Sequence, residues 1–232
     1  MSVKSILGGI GLIALAGFVI ALFIFNASQP KTSVHTTGDP WNKAMTMGSL
    51  DAPHKMVEYT DYFCSFCAEF NKALTDDFKK EYVDSGKLRV ENRIVDLLKE
   101  VSVNTPKGNR AAFCAADQNK YWEYSKKIIK NIDTDYFSKG IGVKNVANPV
   151  KIPLLANDYF ITPAGELGLN TEKFSTCIAG DAHGTTISSN SQKAINMGVT
   201  GLPHITVNGY TANGFMGGEG ELTMILKAGG VK

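Results

Sequence analysis

The sequence predicts a mixed α/β fold with a helical domain inserted into it, preceded by a membrane-spanning helix. Three observations carry that expectation. Lys55–Phe70 (KMVEYTDYFCSFCAEF) passes from an apolar strand-like run into a helix-compatible segment, and Lys87–Val95 then alternates as a second strand. About 100 residues later a run to Val207, an Asn208-Gly209 pair and a further alternating run give the strongest short-range hairpin signal. Ile6–Phe25 is an apolar stretch of twenty residues without a charge.

At 1.5 Å rise per residue that stretch spans ~30 Å, the thickness of one hydrocarbon core. A cleaved signal peptide is the competing reading. Its apolar region usually covers about 7–15 residues and ends in an A-x-A-like site, whereas Phe25-Asn-Ala-Ser is a poor one. An uncleaved anchor over residues 1–25 is expected, with Lys4 and the amino terminus cytoplasmic, although Lys31 weakens the charge bias. Gly8, Gly9, Gly11 and Gly17 read as ordinary membrane-helix composition, with helix–helix packing the alternative. Residues 26–48 carry Pro30, Pro40 and several Ser and Thr, and read as a linker. Trp41, Met45 and Met47 are candidates for an edge contact or an interfacial anchor.

The first structural block is 49–100. Its strand leads through Met56, Val57 and Tyr59, with Glu58 on the face opposite Val57 and Tyr59 by alternation. Ala68–Tyr82 reads as one helix with Phe70, Leu74 and Phe78 on one side, and Gly86 ends it. The β-α-β order requires a right-handed crossover into a parallel pair. Residues 101–198 are the insertion. Arg110–Lys130 is helical in pattern, and Asp133–Asn170, with Pro149, Pro153 and Pro163, reads as loop-rich. Thr171–Ile178 reads as a helix capped by Thr171, and Asp181–Met197 as another with Gly184 as a weak point. Residues 199–232 return to the first block with the hairpin and a last helix, Glu219–Ala228, stopped by Gly229-Gly230.

The chemistry concentrates at Cys64-Ser65-Phe66-Cys67. A Cys-x-x-Cys between a strand and a helix start reads as a redox dithiol. Unpaired backbone N–H groups and the positive end of the helix favour a thiolate on the first sulfur. An ordinary thiol is only about 3% ionised at pH 7, and helix-terminal cysteines can fall several units lower. The alternatives are half a zinc site or two incidental cysteines. Structural zinc usually needs a second ligand pair at short spacing. Cys114 and Cys177 stand alone, and His35, His54, His183 and His204 form no ligand-spaced pair, so no metal and no cofactor is expected. A net charge of +2 gives no electrostatic argument for nucleic acid. Glu58, six residues before Cys64, is either a solvated strand residue or a buried carboxylate that relays the Cys67 proton.

Asp51-Ala-Pro-His-Lys-Met-Val-Glu-Tyr-Thr-Asp-Tyr-Phe-Cys-Ser-Phe-Cys resembles the opening of DsbA-like thioredoxin-fold proteins, particularly the membrane-anchored BdbD-like branch. Gly201-Leu202-Pro203 before a strand, and Cys114-Ala-Ala-Asp-Gln-Asn-Lys-Tyr-Trp-Glu-Tyr in a helical insert, extend the resemblance over Ser49 to Ala228. It implies a thioredoxin-like fold with an inserted helical domain and a cis Pro203 facing the dithiol, so that Leu202 offers backbone groups to an extended substrate. It also implies Glu58 beneath the resolving Cys67, and a structural disulfide between Cys114 and Cys177, against the alternative of two buried free thiols. Such a bridge is worth ~4 kcal/mol in the chain-entropy model.

The implied function is thiol:disulfide exchange with unfolded or reduced extracytoplasmic proteins, most simply a dithiol oxidase recharged by a DsbB- or VKOR-like membrane partner. Phe66 and Leu202 are candidate substrate contacts. His204 either tunes Cys64, touches substrate or is an outward strand residue. Two departures from the family pattern stand out. Ser65-Phe66 replaces the Pro-His or Pro-x common between the cysteines, and Leu202 replaces the usual Val or Thr. An isomerase or reductase, or a non-catalytic membrane-tethered peptide-binding module, are the alternatives.

Overall fold

The structure is a computed structural model that describes residues 43–143 and 150–232. The expected anchor Ile6–Phe25, Trp41 and most of the 26–48 linker lie outside the described residues. Among the described residues no helix is long and apolar enough to cross a membrane.

Among the described residues five strands form one sheet in the order β1-β3-β2-β4-β5. They are β1 (Thr46–Met47), β2 (His54–Thr60), β3 (Leu88–Ile94), β4 (His204–Val207) and β5 (Tyr210–Asn213). The central β2 pairs parallel with β3, Glu58 opposite Asn92, and antiparallel with β4, Glu58 opposite Ile205 and Tyr59 opposite His204. The β4–β5 hairpin turns at Asn208 (φ 50°) and Gly209 (φ 94°), the positive-φ pair that Asn-Gly supplies at low cost. One boundary moves from the sequence expectation. The end of the expected linker joins the sheet, because Met45 is buried and β1 zips antiparallel onto β3, Met47 opposite Val90.

The helices are α1 (Ser65–Ala73), α2 (Asp76–Phe78, running on into a π turn at Lys79–Val83), α3 (Thr105–Ala116), α4 (Tyr121–Asp135), α5 (Asn157–Glu166), α6 (Thr171–Ala179), α7 (Gly184–Asn196) and α8 (Glu219–Ala228). Strand alternation puts Met56, Val90, Ile205 and Val207 on one face, where they pack with Phe70 of α1 and Leu222 and Leu226 of α8. On the other face Val57 and Tyr59 pack with Ala194 of α7. A second core joins Phe113, Tyr124, Ile128, Phe160 and Phe174 of the insertion to Tyr62, Phe63, Ala68 and Ile94 of the first block.

Several elements differ from the sequence reading. The single helix expected over Ala68–Tyr82 breaks at Leu74, because the Thr75 side chain accepts the Phe78 N–H and starts a new helix. The apolar stripe survives the break: Phe70, Leu74 and Phe78 are all buried. The pattern over Arg110–Lys130 resolves into two helices separated near Asn119, which sits at φ 56°. In the loop-rich stretch, of which 144–149 lies outside the described residues, α4 continues to Asp135 and α5 forms despite Pro163. Complete burial of Phe160 and Ala164 outweighs the proline signal there. The α6 cap is Asn170, whose Oδ1 accepts the Lys173 N–H at 2.8 Å, one residue before the expected Thr171. The helix expected from Asp181 begins at Gly184.

The insertion is braced internally by a disulfide and joined to the first block at defined points. Cys114 of α3 and Cys177 of α6 are disulfide-bonded, with Cα atoms 5.8 Å apart. Lys72 of α1 pairs with Asp133 of α4 at 3.0 Å. At Gly108 of α3 an added Cβ would stand 2.6 Å from the Phe63 ring, next to Cys64. Gly108→Ala is therefore expected to cost about 1–3 kcal/mol by overpacking. Gly220→Ala, in open space on α8, is expected to be neutral or stabilising. Urea unfolding of the two variants side by side checks the contrast.

Candidate active site

The strand β2 delivers the site. Its C-terminal end runs through Asp61, Tyr62 and Phe63 into α1, and Cys64 is the residue that caps that helix, with extended φ −100° and ψ 113°. The Cys64 N–H donates to the Asp61 carbonyl at 3.1 Å, closing a turn, while the Cys64 carbonyl accepts the Ala68 N–H at 3.1 Å and begins the helical ladder. The Cys64 sulfur is thereby held against the first, unpaired amides of α1.

The two sulfurs differ sharply. Both are unbonded thiols, Cys64 8% and Cys67 1% exposed. The Cys67 thiol, and then the Phe66 and Cys67 amides, favour charge on Cys64 strongly enough to offset its burial, so its thiol is more acidic than usual. Burial, and next the neighbouring Cys64, push the Cys67 thiol well above the ordinary range. The pair is thus an acidic outer thiol and a proton-retaining inner one.

Across the site, the Leu202–Pro203 peptide is cis, and the Leu202 carbonyl stands 3.5 Å from the Cys64 sulfur. Pro203 is buried, while Phe66 and Leu202 are partly exposed. A cavity of about 410 Å³ opens beside the dithiol, walled by Phe63, Phe66, Leu98, Val101, Ile152 and Leu202. Val101, Val150 and Leu154 keep half or more of their surface exposed on that side of the molecule or near it in sequence.

Glu58 lies on the α1 face of β2 and is 3% exposed. Burial pushes its carboxyl up to about 8, against hydrogen bonds from Thr60 and Asn92, with the Cys64 charge adding to the rise. Asn92 in turn donates to the Tyr121 hydroxyl at 2.9 Å, linking the carboxylate to the insertion. The structure therefore brings Cys64, Cys67, Glu58, Phe66, Leu202 and Pro203 together. His204 is turned away. It sits beside Tyr59 on the sheet face opposite Glu58, is 2% exposed, packs edge-on to the Tyr59 ring at 5.8 Å and pairs with the Asn213 side chain. In that position the ring presents almost no surface.

Sequence reasoning missed Asp61, which is fully buried in the catalytic turn. The available signal was an acid at the end of an apolar strand three residues before Cys64. Elsewhere among the described residues, Asp117, Cys177 and His183 bring potential ligand atoms within 4.8 Å of one another, but the Cys177 sulfur is committed to Cys114, leaving Asp117 and His183 hydrogen-bonded at 2.8 Å. Two such groups fall short of the ligand count of a metal site.

The thioredoxin family profile matches residues 41–227. The chain belongs to the thioredoxin family. This thioredoxin-family protein is 23% identical over 196 residues to a probable disulfide bond formation protein D of Bacillus anthracis, covering 84% of this chain and 83% of that protein. It is 28% identical over 107 residues to disulfide bond formation protein D of Bacillus subtilis, covering 43% and 45% of the two chains. In fold it is similar to oxidised BdbD of Bacillus subtilis, with TM-score 0.64, 18% identity and coverage of 83% and 97%. It is also similar to DsbA of Chlamydia trachomatis, with TM-score 0.60, 18% identity and coverage of 86% and 96%. Family and relatives together with the dithiol make the protein a thiol–disulfide oxidoreductase.

Proposed function

We propose that this protein oxidises the cysteines of extracytoplasmic proteins. The observation that carries the reading is the asymmetry of the dithiol: an acidic Cys64 beside the Leu202 carbonyl, and a buried Cys67 above a proton-holding Glu58. In the disulfide form a substrate thiolate attacks the Cys64 sulfur, the Cys64–Cys67 bond breaks, and the Cys67 thiolate takes a proton from Glu58. A second substrate thiolate then attacks the substrate sulfur of the mixed disulfide, and Cys64 leaves as a thiolate. Two electrons pass to the enzyme, and the substrate gains a disulfide. A stabilised Cys64 thiolate is a good leaving group and favours the reduced enzyme, which is the property of an oxidant.

An extended substrate pairs with the Leu202 backbone in the manner of strand addition, and an apolar side chain near its cysteine enters the cavity beside Phe66. The Cys114–Cys177 bridge supports an oxidising compartment. Ile6–Phe25 supplies a single-pass tether, and a DsbB- or VKOR-like membrane protein reoxidises Cys64 and Cys67. The charge of Asp61, together with Ser65-Phe66 in place of an imidazole, favours a second reading as a milder isomerase or reductase.

The test is the Cys67→Ala variant mixed with reduced, unfolded secreted protein. Mixed disulfides through Cys64 are expected on non-reducing gels and none with Cys64→Ala; a peptide-binding module would trap nothing. Equilibration with glutathione fixes the direction. A potential less negative than about −200 mV marks an oxidase, and one near thioredoxin's about −270 mV a reductase.

A further inference from the structure

We propose that Asp61 is a positioning residue of the exchange reaction, a second buried carboxylate that sets how firmly Cys64 holds negative charge and that is itself held by the first residue of α3. The proposal rests on Cys64 being the exchanging sulfur. Asp61 has no exposed surface, and its peptide is built into the dithiol turn: its carbonyl takes the Cys64 N–H at 3.1 Å, and its amide faces the Cys67 sulfur. Its carboxylate is fixed by two donors on one oxygen, the Phe63 N–H at 2.9 Å and the Thr105 hydroxyl at 3.1 Å. The other oxygen, Oδ2, is buried with no hydrogen-bond partner among the described residues. A half-satisfied buried carboxylate is costly, and a core needing only packing would do better with an apolar residue.

The groups facing Asp61 come from three elements. From its own segment comes Cys64. From the end of β3 comes Asp96, a like charge. From α3 come Thr105 and Asn109, the latter spanning the Tyr62 N–H, the Val95 carbonyl and Asp96. Thr105 opens the twelve-residue α3, whose N-terminal end favours an anion. Glu58 acts on the same dithiol from β2. Burial, opposed by these hydrogen bonds, pushes the Asp61 carboxyl up to about 7, so its charge changes within the working range of a thiol exchanger. When ionised it opposes charge on Cys64. Through Thr105 the inserted domain thereby reaches the reactive sulfur.

The test uses the full chain with Cys114–Cys177 intact and Cys64–Cys67 reduced. Asp61→Asn keeps the acceptor for Phe63 and Thr105 but removes the charge. The Cys64 titration, followed by thiolate absorbance and by alkylation rate against pH, is expected to move to lower pH, with the thiolate fraction at pH values below the midpoint rising about three- to tenfold. The glutathione equilibrium shifts toward reduced enzyme by the same factor. Thr105→Val, which strips one donor from Asp61, is expected to move the titration the same way by less, and to add nothing in the Asp61→Asn background. A Cys64 titration unmoved in folded Asp61→Asn, or additive effects of the two substitutions, overturns the proposal. Should Asp61→Asn not fold, an unmoved titration in Thr105→Val overturns it. Alkylation needs no protein substrate, so this outcome is separate from the trapping result with Cys67→Ala on which the oxidoreductase reading depends.

Discussion

Glu58→Gln is expected to slow thiol–disulfide exchange by about 10²–10⁴ at neutral pH while making the reduced protein more stable. The two effects share a cause. Glu58 is buried against the dithiol and holds its proton up to about 8, against an ordinary value of 4.5. In the exchange proposed above, that proton serves the Cys67 thiolate when the mixed disulfide forms, and the resulting carboxylate takes it back on reoxidation. A glutamine in its place would keep the size and the hydrogen bonds to Thr60 and Asn92 but exchange no proton, so the pH–rate profile should lose its inflection near 8. For stability, both folded and unfolded chains are protonated below 4.5, and burial carries no ionisation penalty. Between 4.5 and about 8 the unfolded chain releases a proton that the folded one retains, so stability falls as pH rises and levels off above 8. At pH 7 the difference is on the order of 3 kcal/mol for this group. Asp61, raised from 3.8 to about 7, acts in the same direction. Urea midpoints at pH 5 and pH 8 check the sign: the wild type should lose more stability over that interval than Glu58→Gln. Equal losses would show Glu58 to be solvated and ionised, and its role as proton carrier would fall.

What the sequence disclosed was local. Lys55–Phe70 carries strand, dithiol and helix start within sixteen residues, and Asn208-Gly209 fixes its turn by backbone preference alone, so both were legible. Elements decided by distant partners were not. Residues 157–166 hold an interior proline and read as loop until Phe160 and Ala164 find a core made by α3, α4 and α6. Thr46–Met47 is too short to announce a strand and becomes one only because β3 offers a free edge. The site divides the same way. Glu58 and Asp61 have the same chemical signature, an acid in an apolar run. Asp61 escaped notice because its burial is imposed by Thr105 and Asn109, more than forty residues downstream. For His204 the sequence left several roles open, because the face it takes is fixed only by pairing with Tyr59 on a distant strand.

Removing the Cys114–Cys177 bridge is expected to cost about 4 kcal/mol, since it closes a loop of 63 residues in the unfolded chain. The effect should not stop at the helical insertion. Cys114 lies on α3, and the same helix supplies Thr105 to Asp61 and the Gly108 surface against which Phe63 packs, so it braces the turn that presents Cys64. Loosening α3 from α6 should therefore lower exchange rates as well as stability, without moving the Cys64 titration as far as Asp61→Asn does. Paired replacement of both cysteines by alanine avoids leaving a reactive thiol; urea unfolding gives the stability, and alkylation against pH gives the sulfur. An unchanged unfolding midpoint would mean that packing among Phe113, Phe160 and Phe174 alone holds the insertion, and that the bridge adds nothing to the frame behind Cys64.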